Sequence, residues 1–129
     1  MIAAGEIPST TVYEDEDFRV AFDIAPASKG HLLILPKAHA DNVTQLPAET
    51  AAKVLPLAAK LGQAQMKGLG AEGFNLVVNT GEAAGQTVMH FHMHVIPRYK
   101  DGGDMIIWKQ GEYKDGEKEP IAEAIKGAL

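Results

Sequence analysis

Cysteine is missing from all 129 residues of this chain, and that absence closes several routes at once. Disulfides, thiol nucleophiles and cysteine-built zinc sites all need a sulfur ligand or nucleophile, so none is open to this protein. Positive charge is also short: 12 Lys and Arg stand against 17 Asp and Glu, a formal net charge of −5. General affinity for nucleic acid or an anionic membrane needs a basic surface and is not expected. A small anionic ligand stays open, because a few local donors can override the global field. No apolar run approaches the ~20 residues that span a bilayer. The opening Met1-Ile2-Ala3-Ala4-Gly5-Glu6 has neither a basic region nor a long apolar stretch, so it does not read as a signal peptide. Repeats, low-complexity tracts and long linkers are absent as well. What remains is an ordinary globular composition, 46% hydrophobic and 22% charged, and the expectation is one soluble cytoplasmic domain over residues 1–129.

Local patterns divide the chain into short strands around one long helix. Residues 1–9 read as a helical turn ended by Ile7-Pro8-Ser9. Strands are expected at Thr11–Glu14 and Phe18–Phe22, with Asp15-Glu16-Asp17 as the hairpin turn. A third, His31–Leu35, carries the run Leu32-Leu33-Ile34-Leu35 of a central, buried strand. From Pro47 to Met66 the period becomes helical, with Val54, Leu57, Ala58, Leu61 and Ala64 on one face and Gly68 and Gly70 as terminators. Pro56 lies inside that stretch and is expected to bend it. Strands four and five fall at Phe74–Val78 and Met89–Ile96, joined by the Gly-rich Thr80–Gln86. Residues 99–118 are rich in Gly and charge, with an apolar island at Met105–Trp108, and a last helix is expected over Pro120–Ala128. A helix between strands three and four in an otherwise stranded chain is an α+β pattern, not a repeating βαβ one.

The informative segment is Gln86-Thr87-Val88-Met89-His90-Phe91-His92-Met93-His94-Val95-Ile96-Pro97-Arg98. On a strand, residues two apart share a face, so His90, His92 and His94 form a row while Phe91, Met93 and Val95 pack behind it. With 5 His in the chain, chance placement gives roughly 0.01 such triplets, which makes the motif specific. A row of imidazoles is costly to desolvate without partners and belongs at a site. Imidazole is largely neutral and nucleophilic near pH 7, so it can attack phosphorus and divide one displacement into two, with a second ring moving protons. Two other readings of the row are a hydrogen-bonded structural array and a transition-metal site. This strand has no carboxylate or thiolate to complete the latter.

His90-Phe91-His92-Met93-His94-Val95-Ile96 resembles the His-φ-His-φ-His-φ-φ signature of the histidine-triad (HIT) superfamily, with φ an apolar residue. The resemblance extends in order through Gly5-Glu6-Ile7-Pro8-Ser9, Phe22-Asp23-Ile24, Gly30-His31, Pro36-Lys37-Ala38-His39 and Val77-Val78-Asn79, covering most of residues 2–98; residues 99–129 are a less diagnostic tail. It implies a HIT-like α+β fold: a five-stranded, mostly antiparallel sheet with one main helix and a C-terminal helix. It also implies nucleophilic attack by His92 on the α-phosphate of a nucleotide, through a nucleotidyl-histidine that water hydrolyses to a nucleoside monophosphate. By the same resemblance His94 contacts the α-phosphate, His90 orients its neighbours and His31 belongs to the network. Asp23 would hold the ribose hydroxyls; Asn79, Gln86 and Thr87 lie where phosphate and leaving group are gathered; Ile7 and Ile24 would line the base pocket. Taken alone, Asp23 reads as a turn residue before Pro26, Asn79 as the start of a turn, Ile7 and Ile24 as core, and His39 as a surface-loop histidine.

One departure stands out. Many bacterial relatives carry an N-terminal Cys-x-x-Cys that binds structural zinc with histidines such as the one matching His39. This chain lacks it, so no structural zinc is expected and the N-terminus must be held by packing. No cofactor is required, though magnesium can accompany a polyphosphate substrate. The substrate branches are nucleoside phosphoramidates and dinucleoside polyphosphates: Val95-Ile96-Pro97-Arg98 resembles the polyphosphate-cleaving and bacterial generic members, the short chain and compact N-terminus the phosphoramidases. A two-fold homodimer is implied, with Met105-Ile106-Ile107-Trp108 as candidate contacts near the partner's site. A non-catalytic nucleotide-binding adaptor and a His-ligated metalloprotein are the alternatives.

Overall fold

A computed structural model describes residues 10–100, 106 and 109–129. The turn expected over residues 1–9, with Ile7 in it, and the Met105–Trp108 island apart from the exposed Ile106 lie outside those residues.

Strands β1 (Thr11–Glu14) and β2 (Phe18–Phe22) form the expected hairpin. Asp15 builds its turn: one carboxylate oxygen accepts from the amides of Asp17 and Phe18, each at 2.8 Å, and the other from the Tyr13 hydroxyl at 2.8 Å. Strand β3 (Leu32–Pro36) is buried along its whole length, as its continuous apolar run requires. Helix α1 (Ala48–Leu69) follows, then β4 (Gly73–Val77), β5 (Met93–Arg98) and α2 (Lys118–Ala128). The sheet order is β1-β2-β3-β5-β4 with every pairing antiparallel, so the five-stranded α+β architecture is realised.

Helix α1 lies across β3, β4 and β5 and closes the core. Val54, Leu57, Ala58 and Leu61 are buried there with Phe18, Val20, Leu32, Ile34, Phe91, Met93 and Val95. Ala64 is exposed instead, and Gln65 takes the inward place, because the helical period runs 54, 57, 58, 61, 65. Gln65 donates to the carbonyls of Gly30 and Val95, 3.0 Å each, and so ties α1 to the sheet. A side chain on Gly62 would meet the Phe74 ring at 2.3 Å, so helix and edge strand approach as closely as only glycine permits. Pro56 does not divide α1. It sits on the exposed face, as does Ala52, whose carbonyl it leaves without a helical donor. Gly70, left-handed at φ 75°, ends the helix.

The limits of β1 and β2 are those expected, and the other limits outside β5 differ by at most three residues, α1 running to Leu69 rather than Met66. Strand β5 begins at Met93 rather than Met89. Ahead of it, the Phe91 amide donates to the Ala40 carbonyl at 2.7 Å, so residues 89–92 are drawn against the segment after β3 before sheet pairing starts.

Candidate active site

Three segments meet beside the start of β5: the loop 23–31, the residues 37–41 that follow β3, and the triad at 90–94. Their anchoring explains why they meet. Phe91, Met93 and Val95 point into the core, and burying each contributes roughly 2 kcal/mol. The intervening histidines are thereby turned to the other side. Ser28 donates to the Pro97 carbonyl at 2.6 Å, and Asp23 N–H to the His31 carbonyl at 3.0 Å, which seats the 23–31 loop over β5.

His92 is half-buried, with Nδ1 2.8 Å from the His90 carbonyl oxygen. That oxygen can only accept, so Nδ1 carries the proton and Nε2 keeps a free lone pair. The next ring, His94, stands edge-on to His92 with centroids 5.1 Å apart. His94 Nδ1 is 2.9 Å from His31 Nε2, while His31 Nδ1 accepts from the Ala27 amide at 3.0 Å. A neutral His31 that accepts at Nδ1 must carry its proton on Nε2. It therefore donates to His94 Nδ1, and His94 bears its own proton on Nε2. The Ala27 amide thus sets two tautomers in succession, and the site offers one ring with an open lone pair beside one with an N–H.

The row of three is only partly realised. His90 is 6% exposed and turned away from His92 and His94, with Nε2 3.2 Å from the Pro36 carbonyl and Nδ1 3.0 Å from Nδ1 of His39. The strict two-residue alternation needs a strand, and the chain is not yet in one at residue 90. His39, which the sequence alone placed on a surface loop, is exposed but in direct contact with the triad; its other nitrogen meets Asp41 at 2.8 Å. Neither contact has a periodic signal in the sequence.

Burial holds His31, His90 and His94 below the ordinary imidazole value of 6.5. For His94 the neighbouring His92 and His31 push the same way while Asp23 opposes; for His31 Asp23 opposes and Arg98 reinforces. These rings are built to be neutral at pH 7, the state that tautomer-specific chemistry requires.

Asp23 faces the pair, its Oδ2 3.5 Å from His31 Nε2 and 3.8 Å from His94 Nδ1, while Oδ1 accepts from the Ala25 amide at 2.9 Å. It is a turn residue that also faces the histidine pair. These three side chains are the described residues whose donor atoms cluster closely enough for a metal ion, all within 4.8 Å. The Ala27 contact argues for a proton there, since it directs an N–H into the gap between the rings. Ile24 is 81% exposed, so it is not core, and its apolar surface is open to a ligand. Thr87 is exposed on the loop before the triad. Asn79 lies against Gly85, its amide 3.6 Å from where a side chain there would begin. Gln86 differs from expectation. It is buried, accepts from Gly81 N–H at 2.9 Å and donates to the carbonyls of Asp41 (2.6 Å) and Val88 (3.0 Å), so its amide shapes the loop instead of reaching outward.

Comparison with known proteins agrees with this geometry. The family model described as HIT domain matches residues 4–101. An uncharacterized HIT-like protein of Methanocaldococcus jannaschii is 39% identical over 126 residues, covering 98% of this chain and 95% of the relative. A Schizosaccharomyces pombe protein named adenosine 5′-monophosphoramidase is 40% identical over 97 residues, 75% of this chain and 70% of its own length. Among solved structures, a HIT-family protein from Bacillus subtilis superposes with a TM-score of 0.87 at 39% identity, over 99% of this chain and 93% of that one. A structure described as a Zn-bound histidine triad family protein from Mycobacterium smegmatis gives 0.75 at 32%, over 99% and 94%. With the triad, its tautomers and the fold in agreement, this chain belongs to the HIT family, some of whose members are nucleotide hydrolases.

Proposed function

We propose that the protein is a nucleotide hydrolase in which Nε2 of His92 attacks the α-phosphate. The observation that carries this is the 2.8 Å bond from His92 Nδ1 to the His90 carbonyl, which leaves the opposite nitrogen as a nucleophile aimed away from the backbone. In the first step the Nε2 lone pair forms the P–N bond and the bond to the leaving group breaks. The departing amine or phosphate takes a proton, for which the Nε2–H of His94 is the adjacent source. In the second step water attacks phosphorus and gives a proton back to Nε2 of His94, the P–N bond breaks, His92 recovers its lone pair and a nucleoside monophosphate leaves.

Asp23 and Ile24 would meet ribose and base, Thr87 and Asn79 the phosphate side, with Gln86 holding their loop. Ile7 keeps its proposed place at the base pocket from the family resemblance alone. The substrate is a nucleoside phosphoramidate or a dinucleoside polyphosphate; the S. pombe relative's name favours the former. The chemistry as written needs no metal, and magnesium would accompany only a polyphosphate.

The proposal includes a cytoplasmic homodimer. Strand β4 is a sheet edge with Leu76 exposed. Beside it, Leu55, Ala59, Gly62, Met66 and Leu69 follow one another at spacings of four and three along α1, with Leu55, Met66 and Leu69 exposed. Light scattering at working concentration should give twice the chain mass, and a monomer would refute the pairing. Among the described residues no helix is long and apolar enough to cross a membrane.

The function is tested by incubating adenosine 5′-phosphoramidate and, separately, a diadenosine polyphosphate with the protein and with His92→Ala. Release of AMP from either by wild type alone supports the reading, and the faster substrate sets the branch. Tight nucleotide binding without release would favour an adaptor.

A further inference from the structure

The contact between His39 and His90 can be read by counting protons. His90 Nε2 faces the Pro36 carbonyl at 3.2 Å, and a carbonyl only accepts, so that nitrogen bears a proton. His39 Nε2 faces the Asp41 carboxylate at 2.8 Å and bears one for the same reason. Both outer nitrogens are thus donors. The two inner Nδ1 atoms meet at 3.0 Å, a distance at which two lone pairs would repel, so a third proton lies between them. Two rings with three protons carry one positive charge, and the Asp41 carboxylate neutralises it.

This arrangement does not fit a metal. A zinc ion needs a lone pair from each ring, with the ligands spread around it, and no thiolate exists here to join them. The M. smegmatis relative, by contrast, is described as Zn-bound. In this chain the rings bond each other instead.

We infer that Asp41 and His39 are positioning residues, a charged strut that braces His90 and, through it, the nucleophile. The mechanical link is short. The His90 carbonyl receives the His92 Nδ1 proton at 2.8 Å, and the Phe91 amide is fixed to the Ala40 carbonyl at 2.7 Å, so the strut and the nucleophile share one stretch of backbone. His39 is exposed and in contact with its carboxylate, whereas burial opposes a charge on His90. The titratable groups whose charge acts on His90 are His39, His92 and Asp41. The orienting role rests on the function proposed above; the proton count does not.

The test uses the full chain labelled at histidine nitrogens, with nuclear magnetic resonance reading the protonation of each ring, and metal analysis of the purified protein. Expected at pH 6 is a three-proton His39–His90 pair without stoichiometric zinc. In Asp41→Asn the bridging proton should be lost at a lower pH than in wild type. In His39→Ala, kcat should fall on the order of tenfold with KM little changed, the scale for losing an outer partner of a working histidine. His39→Asn should recover most of it, because its amide N–H can donate to His90 Nδ1 without an extra proton. A two-proton pair, or zinc at one per chain, would overturn the strut whatever the activity. Wild-type kcat in both His39→Ala and Asp41→Asn would overturn the positioning role. Absence of turnover in wild type would count against the hydrolase reading and leave the proton count standing.

Discussion

Two histidine pairs flank His92, with ring nitrogens 2.9 Å apart in His31–His94 and 3.0 Å apart in His39–His90, and their surroundings impose opposite terms. At the first pair an outer nitrogen meets a backbone N–H, so two protons satisfy both rings and the pair is neutral. At the second, both outer nitrogens meet acceptors, so a third proton is needed and a carboxylate stands by to balance it. The lesson is that ring identity and spacing do not decide what a histidine contributes. The neighbouring carbonyl, amide or carboxylate does, by fixing which nitrogen holds hydrogen. The first pair holds His94 edge-on to His92, and the second reaches His92 through the His90 carbonyl.

The comparison breaks most visibly at His31. His31→Phe removes the N–H that fixes His94, and AMP release should fall on the order of a hundredfold or more, the range of a lost acid-base group. Unchanged single-turnover rates would mean that His94 needs no such setting. Acid offers the next test. His31, His90 and His94 have folded values below the 6.5 of the unfolded chain, so between those values the unfolded state binds more protons. The contribution of these three rings to stability should be level above about 6.5 and be lost as pH drops through the lowered folded values. The melting temperature followed from pH 7.5 to about 4.5 checks this. His31→Phe should flatten part of the decline, and a flat wild-type curve would show that the rings are not held neutral.

The remaining tests are smaller. Gln86→Leu strips the carbonyls of Asp41 and Val88 of their donor and should cost about 1–3 kcal/mol in denaturant unfolding, loosening the charged pair's side of the site first. Equal stability would mean that water replaces the amide without loss. Ile24→Ser changes an exposed side chain and should shift stability by less than about 0.5 kcal/mol while weakening nucleotide affinity measured by calorimetry. Unaltered affinity would remove Ile24 from the proposed base pocket.

Much of this was legible in the sequence, because periodicity reports burial. Leu32–Leu35 had to be a central strand, Val54 to Leu61 one helical face, and Phe91, Met93 and Val95 a core-facing set that turns His92 and His94 out. Side-chain pairing across the chain has no such signature. Nothing in a local pattern shows that His39 meets His90, 51 residues away, or that an Ala27 amide sets the tautomer of His31. The start of β5 was misplaced for a related reason: alternation continues through residues 89–92, but a hydrogen bond to Ala40 holds them off the sheet. The family resemblance sets Gln86 among the phosphate and leaving-group contacts, whereas three backbone partners claim its amide.

The account stands on His92 as the atom-transferring group. Its most direct test is rapid quenching of wild-type protein with adenosine 5′-phosphoramidate, followed by mass spectrometry of the peptide that contains His92. A transient adenylyl group on that histidine, absent in His92→Ala, is the predicted result. AMP release with no adduct at any time, or an adduct on His94 or His90 instead, would contradict it.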